Sequence, residues 1–162
     1  MQSARVSMDR LKNPKSKVSC HYLINREGVV YKMIEENKIA WHAGKSRWKN
    51  IRNLNKCSIG IEIQNQGHFL NYQRFPKKQI SSLIVLIKLL LKKYKINKNN
   101  VLGHSDIAPL RKRDPGEKFP WNFLSSRGVA IWYPKFKLKK KNIDLKIKRR
   151  IFFKNVHKIG YR

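Results

Sequence analysis

The segment over about 77–94 constrains the fold more than any other stretch of the chain. Its apolar residues recur every three or four positions, which is the spacing of one face of an α-helix. Pro76 begins this element. The pattern predicts an amphipathic helix that packs on a sheet as part of the core and does not enter a membrane. The residues of its apolar face are Ile80, Leu83, Ile84, Ile87, Leu90, Leu91 and Tyr94.

Strand-forming runs precede this helix. Residues 20–24 and 29–34 are rich in β-formers and flank a turn sequence that ends in Gly28, so they predict a hairpin. Residues 58–64 alternate isoleucine with polar residues or glycine, which is typical of a strand with one buried face. We therefore predict the α/β fold class, with a mixed central sheet and packed helices in a single domain.

Weaker signals fill the remaining chain. A helix over 3–12 should end at Asn13, because the residue before a proline avoids the helical region. We further expect a short strand that runs into a loop over 39–44, a short strand at 101–103, an irregular basic stretch at 45–57, and a short last helix at 120–128.

Glu62 is a carboxylate within the isoleucine-rich run of 58–64. Since Ile59, Ile61 and Ile63 face one side of the strand, Glu62 faces the other. One interpretation is a solvent-facing glutamate on a half-exposed sheet. The other is a general base at the floor of a cleft.

The chain is strongly basic. Its 162 residues carry 38 Lys and Arg against 9 Asp and Glu, a formal net charge of +29. Such a charge favours nucleic acid or an anionic surface as a partner, although a biased genome would give the same composition. Because the chain contains no recognition motif for nucleic acid, we expect no specific nucleic-acid partner.

Cysteine content and hydropathy narrow the class further. Two cysteines, Cys20 and Cys57, are too few for a disulfide framework and are expected to be reduced. The first residues contain no apolar signal-peptide region, and no apolar run reaches the ~20 residues of a membrane span. We therefore expect no membrane span and no signal peptide in this chain.

The loop over 103–116 groups residue types that suit a zinc site. His104 offers a ring nitrogen and Asp114 a carboxylate oxygen, both of which zinc accepts. Lys112 would place an ammonium group beside such a metal. Ordinary solvated loop residues are the alternative, because His and Asp at this spacing are a weak signal alone.

Several segments together resemble one family. They are Lys17-Val18-Ser19-Cys20-His21-Tyr22-Leu23-Ile24, Ala40-Trp41-His42-Ala43-Gly44, Ser58-Ile59-Gly60-Ile61-Glu62-Ile63, the loop 103–116, and Phe119-Pro120-Trp121. They resemble the zinc-dependent N-acetylmuramoyl-L-alanine amidases of the amidase-2 family, over most of residues 3–134. This resemblance implies a peptidoglycan amidase-like domain, with peptidoglycan or muropeptides as partners, and a bacterial protein that acts as a monomer. It would act in the cell envelope or periplasm if exported and otherwise in the cytoplasm.

The resemblance also implies roles for individual residues. In this family, two His and one Asp hold a zinc ion with water at the fourth position, and the bond cut joins N-acetylmuramic acid to L-alanine. His104 and Asp114 match zinc ligands, Glu62 matches the general base, and Lys112 matches the cation that stabilises the oxyanion. Trp41 and His42 lie in the segment that lines the substrate cleft.

The sequence departs from the family pattern at one point. The family's first zinc histidine lies on a strand before the helix predicted at 3–12, and that strand is absent here. We therefore expect residues 1–134 to form an N-terminally incomplete amidase-like domain whose activity is weak or absent. The alternative is a non-catalytic peptidoglycan-binding remnant.

Residues 135–162 form a basic tail with 12 Lys and Arg and one Asp. It is expected to add little to the folded core. It is either disordered, or an amphipathic segment that docks on an acidic partner, or the start of a truncated wall-binding domain.

Overall fold

A mixed three-stranded sheet covered by one long helix forms the core of the domain. The computed structural model describes residues 4–132, 144–159 and 161. The helices in this part of the chain are α1 (Ala4–Lys12), α2 (Lys77–Lys93), α3 (His104–Ile107), α4 (Trp121–Ser126) and α5 (Leu145–Ile159). The strands are β1 (Tyr22–Ile24), β2 (Val30–Lys32), β3 (Arg47–Trp48), β4 (Ile51–Arg52) and β5 (Ile61–Ile63).

The strand β1 lies at the centre of the sheet, in the order β2-β1-β5. It pairs antiparallel with β2 and parallel with β5, where Leu23 is aligned with Glu62. The turn between β1 and β2 is closed by Asn25, whose side-chain oxygen accepts from the amide of Val29 at 2.7 Å. The predicted mixed sheet, hairpin and α/β class are therefore confirmed.

The helix α2 supplies most of the apolar core. Ile80, Leu83, Ile84, Ile87 and Leu90 are buried against Tyr22 and Ile24 of β1, and Ile61 and Ile63 of β5 pack on the same cluster. The predicted apolar face is confirmed, except that Tyr94 is exposed and Leu91 only partly buried. One buried polar residue shares the face: Gln79 donates to the carbonyls of Ile24 and Gln64 at 3.1 and 3.0 Å, which ties the ends of two strands together.

Two predicted strands are wrong. Residues 39–44 form a loop, because the amides of His42 and Ala43 donate to the side chain of Asn55 and not to a neighbouring strand. Residues 101–103 are not a strand either, since the amide of Gly103 donates to the Asp106 side chain at 2.7 Å. The stretch 45–57, predicted to be irregular, contains the small hairpin β3–β4.

Most of the described part of the basic tail is helix α5, which leaves Leu145, Ile147, Ile151, Phe152 and Phe153 exposed. Tyr161 is an exception to the expectation that the tail adds little, because it packs on a second apolar cluster that contains Ala43, Trp48 and Leu54. The predicted domain boundary at 134 lies outside the described residues. None of the helices described here has the length and apolar character needed to cross a bilayer.

Candidate functional site

Glu62 lies on the face of β5 opposite the core. Its neighbours Ile61 and Ile63 pack on the core cluster, so the alternation of the strand directs the Glu62 carboxyl away from it. The residue is partly buried and not on an open surface. Burial raises the pKa of the Glu62 carboxyl, the charge of Asp114 raises it further, and His104 and Lys112 oppose the rise. Glu62 therefore lies close enough to all three residues to respond to their charges.

His104 and Asp114 are in direct contact. The Nδ1 atom of His104 lies 3.0 Å from Oδ2 of Asp114. The other ring nitrogen, Nε2, lies 3.1 Å from the carbonyl oxygen of Ala43, which can only accept a hydrogen bond. A hydrogen on Nε2 satisfies the Ala43 carbonyl, and a hydrogen bond to the charged Asp114 carboxylate requires a hydrogen on Nδ1 as well.

The Asp114 carboxyl is more acidic than usual. Burial pushes its pKa upward, but the hydrogen bond with His104 and the charges of His104 and Lys112 outweigh burial, so the pKa is lowered. The loop is closed by the amide of Ser105, which donates to the Asp114 carbonyl at 2.9 Å. Asp114 is thus held in its charged form beside the imidazole.

The chemistry of this pair fits a zinc ion, although the number of donors does not reach that of a catalytic site. A zinc-binding histidine usually donates its second ring nitrogen to a carbonyl or carboxylate, as His104 does to Ala43. A catalytic zinc usually has three protein ligands. Within residues 4–132, 144–159 and 161, no group of three or more His, Cys, Asp or Glu is placed to hold a metal. His104 and Asp114 therefore supply two donors.

Two basic residues border the site. Lys112 is fixed through its backbone, whose amide donates to the Ala108 carbonyl at 2.9 Å. Arg111 donates to the carbonyls of Ala43 and Lys45 at 2.9 and 3.0 Å, so it fastens the loop after His42 to the loop after α3. The Ala43 carbonyl consequently accepts from both Arg111 and His104.

A cleft of about 320 Å³ opens beside these residues. Trp41, on one wall, is about half exposed (53%) and offers an aromatic surface to a ligand. Glu62 and Asp114 are not among its lining residues, but Asp114 contacts His104, which is. The lining residues are Lys17, Val18, Trp41, His42, Gly44, Asn55, His104, Arg111 and Lys112.

His42 is packed tightly against the start of β5. A Cβ added at Gly60 would lie 2.2 Å from Cγ of His42, so only glycine leaves room for the ring. Burial, reinforced by the nearby His21, lowers the pKa of His42 to about 4, so the ring is neutral near pH 7. His21 is structural: its Nδ1 accepts from the Gly60 amide at 3.0 Å.

Sequence reasoning missed the residues that hold the loops of the site. Asn55 and Arg111 gave no signal, because a polar residue in a basic loop is ordinarily solvated. Gly60 did carry a sequence signal, since a glycine within a strand-like run often marks a place where another group packs closely against the backbone.

The fold and the site define an α/β domain with a histidine–carboxylate pair, a shielded glutamate and basic residues around one cleft. The chain belongs to the N-acetylmuramoyl-L-alanine amidase family (amidase-2), whose sequence profile matches residues 1–117.

Curated relatives agree with this assignment. The chain is 39% identical over 127 residues to the N-acetylmuramoyl-L-alanine amidase AmiD of Escherichia coli K12, which covers 71% of the chain and 46% of AmiD. It is 41% identical over 112 residues to the 1,6-anhydro-N-acetylmuramyl-L-alanine amidase AmpD of Haemophilus influenzae, which covers 68% of the chain and 59% of AmpD. The chain thus spans about half the length of these relatives.

Solved structures show the same fold. E. coli AmiD in complex with anhydro-N-acetylmuramic acid-L-Ala-D-γ-Glu-L-Lys superposes with a TM-score of 0.86 at 31% identity, over 99% of this chain and 68% of that one. AmpDh3 from Pseudomonas aeruginosa, in complex with anhydromuramic pentapeptide, gives a TM-score of 0.84 at 29% identity, over 99% and 70% of the two chains.

Proposed function

We propose that this chain hydrolyses the amide bond between N-acetylmuramic acid and L-alanine in peptidoglycan or its soluble fragments. The observation that carries the proposal is the contact between His104 and Asp114, 3.0 Å apart, beside a glutamate whose pKa responds to both. Membership of the amidase family supports it, and so do the muropeptide ligands in the AmiD and AmpDh3 complexes.

His104 and Asp114 would hold the zinc ion on which the family depends. When bound there, zinc acts as a Lewis acid on the scissile carbonyl. Two donors hold a metal less tightly than three, so we expect the chain to need zinc in excess and to turn over slowly.

Glu62 is the proposed general base. Its raised pKa makes its carboxylate a stronger base than that of an exposed glutamate, which helps it to remove a proton from the attacking water. The same proton can then pass to the leaving nitrogen of L-alanine, which restores the carboxylate.

Lys112 is the proposed oxyanion-stabilising cation. Lys112 and His104 both line the cleft, and the Lys112 ammonium would stabilise the negative charge that develops on the carbonyl oxygen of the substrate. Trp41 and His42 are proposed to bind the substrate, Trp41 through its exposed ring and His42 as a neutral polar group.

The source, location and oligomeric state of the enzyme are part of the proposal. Since peptidoglycan is the bacterial wall polymer, we propose a bacterial enzyme that acts as a monomer. Cell fractionation separates the envelope or periplasm, expected for an exported chain, from the cytoplasm. Size-exclusion chromatography tests the monomer.

A cleavage assay tests the proposed activity. The chain is incubated with anhydro-N-acetylmuramic acid-L-Ala-D-γ-Glu-L-Lys and excess zinc, and the released tripeptide is quantified by mass spectrometry. We expect slow release that falls about 10²–10⁴-fold in Glu62→Gln, because the general base is lost. Glu27→Gln, at an exposed glutamate of the β1–β2 turn, is the matched control and should cleave like the wild type.

Two outcomes would contradict the proposal. Equal release by the wild type and Glu62→Gln would remove Glu62 from the reaction. Binding of the muropeptide without cleavage at any zinc concentration would make the chain a non-catalytic peptidoglycan-binding protein.

A further inference from the structure

Tyr161 reaches from the end of the chain to the segment that carries His104. It follows helix α5, and its amide donates to the Val156 carbonyl at 3.0 Å. Its hydroxyl donates to Oδ1 of Asp106, two residues after His104. The family match ends at residue 117, so Tyr161 lies outside the sequence by which the family is recognised.

Asp106 links Tyr161 to the start of the helix that His104 begins. Its second oxygen, Oδ2, accepts from the amide of Gly103 at 2.7 Å. Gly103 directly precedes His104, and its backbone enters α3 through this hydrogen bond. One carboxylate therefore joins the Tyr161 hydroxyl to the backbone that orients His104.

The ring of Tyr161 adds a second, apolar contact. It packs edge-to-face on Trp48, with ring centroids 5.4 Å apart and an interplanar angle of 80°. Trp48 is buried in the same cluster as Ala43, whose carbonyl faces Nε2 of His104. Tyr161 is thus linked to His104 by two series of contacts, one through Asp106 and one through the apolar cluster that contains Ala43.

We infer that Tyr161 is a positioning residue for the site. Its hydroxyl fixes the Asp106 carboxylate, which fixes the turn at Gly103, and the imidazole of His104 is thereby kept against Asp114. This inference rests on the proposed function, because it gives Tyr161 a part in the site only if His104 belongs to that site.

The test compares two tyrosines that make the same kind of contact. Tyr161→Phe removes one hydroxyl but keeps the ring on Trp48. Tyr94→Phe is the matched control, because the Tyr94 hydroxyl also donates to a carboxylate, that of Glu36 at 2.5 Å, and does not line the cleft. Both variants of the full chain are studied by NMR at fixed pH, and the affinity for anhydro-N-acetylmuramic acid-L-Ala-D-γ-Glu-L-Lys is measured by calorimetry.

We expect Tyr161→Phe to shift the Gly103 amide and His104 ring signals and to weaken muropeptide binding about threefold to tenfold, the fold-change that corresponds to one ordinary hydrogen bond. Tyr94→Phe should change neither. In an Asp106→Ala background, adding Tyr161→Phe should have no further effect, because the two residues act as one unit.

The inference would be overturned if the Gly103 and His104 signals of Tyr161→Phe superimposed on those of the wild type. It would also be overturned if the effects of Tyr161→Phe and Asp106→Ala added up in the double variant. The NMR comparison needs no substrate, so it decides the inference even for a chain that fails to cleave. Equal cleavage by Glu62→Gln and the wild type would instead remove the proposed function without altering these spectra.

Discussion

Two regions of the molecule differ in the interactions that stabilise them. The first is the sheet with α2, and the second is the set of loops around the cleft. The first region is fixed by apolar burial. Ile24 of β1 is fully buried and Leu83 of α2 is only 2% exposed, and both belong to the same core cluster. The second region, over 38–60 and 101–118, combines a smaller apolar cluster with long-range hydrogen bonds, in which Asn55 accepts from two backbone amides and Arg111 donates to the Ala43 carbonyl. Substitutions in the first region should therefore act on global stability, and those in the second on the geometry of the cleft.

The largest effect on stability is expected for Leu83→Ala. Removing this side chain leaves a cavity under the sheet and should lower the free energy of unfolding by about 2–5 kcal/mol. Leu89→Ala on the same helix is the control, because Leu89 is 62% exposed. Urea unfolding measures both variants, and similar losses would show that burial on α2 does not distinguish this region.

Asn55→Ala should act mainly on the cleft. The Asn55 side-chain oxygen accepts from the amides of His42 and Ala43 at 3.1 and 2.7 Å. Its loss leaves both amides unpaired and should cost about 1–3 kcal/mol of unfolding free energy. Hydrogen exchange should accelerate at these amides while α2 stays protected. Asn55→Asp keeps the acceptor and should preserve protection, and accelerated exchange throughout α2 would contradict the division into two regions.

Glu36 gives the first region a smaller, pH-dependent contribution. Hydrogen bonds from Lys93, Tyr22 and Tyr94 lower the pKa of the Glu36 carboxyl from 4.5 to about 2. Since the pKa is depressed in the folded state, this stabilisation is present above pH 4.5 and is lost as pH falls toward 2.

Unfolding measured between those two pH values should show a weaker pH dependence for Glu36→Gln than for the wild type. Glu35→Gln is the control, because the Glu35 carboxylate pairs with Lys32 at an exposed position, and such pairs contribute little. If the stability of Glu36→Gln depended on pH as steeply as that of the wild type, the pKa of the Glu36 carboxyl would not be depressed in the folded state.

The same division explains what the sequence could predict. The core was readable because residues such as Leu83 and Ile61 follow the period of a helix or a strand, and apolar burial obeys that period. The short strand predicted at the start of 39–44 does not form, since the amides of His42 and Ala43 bond to Asn55, more than ten positions away, and no local pattern encodes that partner.

The residues of the site follow no helical or strand periodicity, and only the resemblance to the family indicates them. Glu62 alone fitted a solvent-facing residue equally well. The residues whose charges act on Glu62 approach it only in three dimensions, and the support of His104 by Tyr161 joins positions too distant for any spacing rule.

The central claim is that Glu62 on a strand and His104, Lys112 and Asp114 on a loop form one site. The most direct test is the pKa of Glu62, measured by carboxyl-carbon NMR in the metal-free chain. The wild-type pKa should lie above 4.5, and Asp114→Asn should lower it, because the charge that opposes ionisation of Glu62 is removed. Asp144→Asn, at an exposed position before α5, should leave it unchanged. A Glu62 pKa at or below 4.5, or one indifferent to Asp114→Asn, would contradict the account.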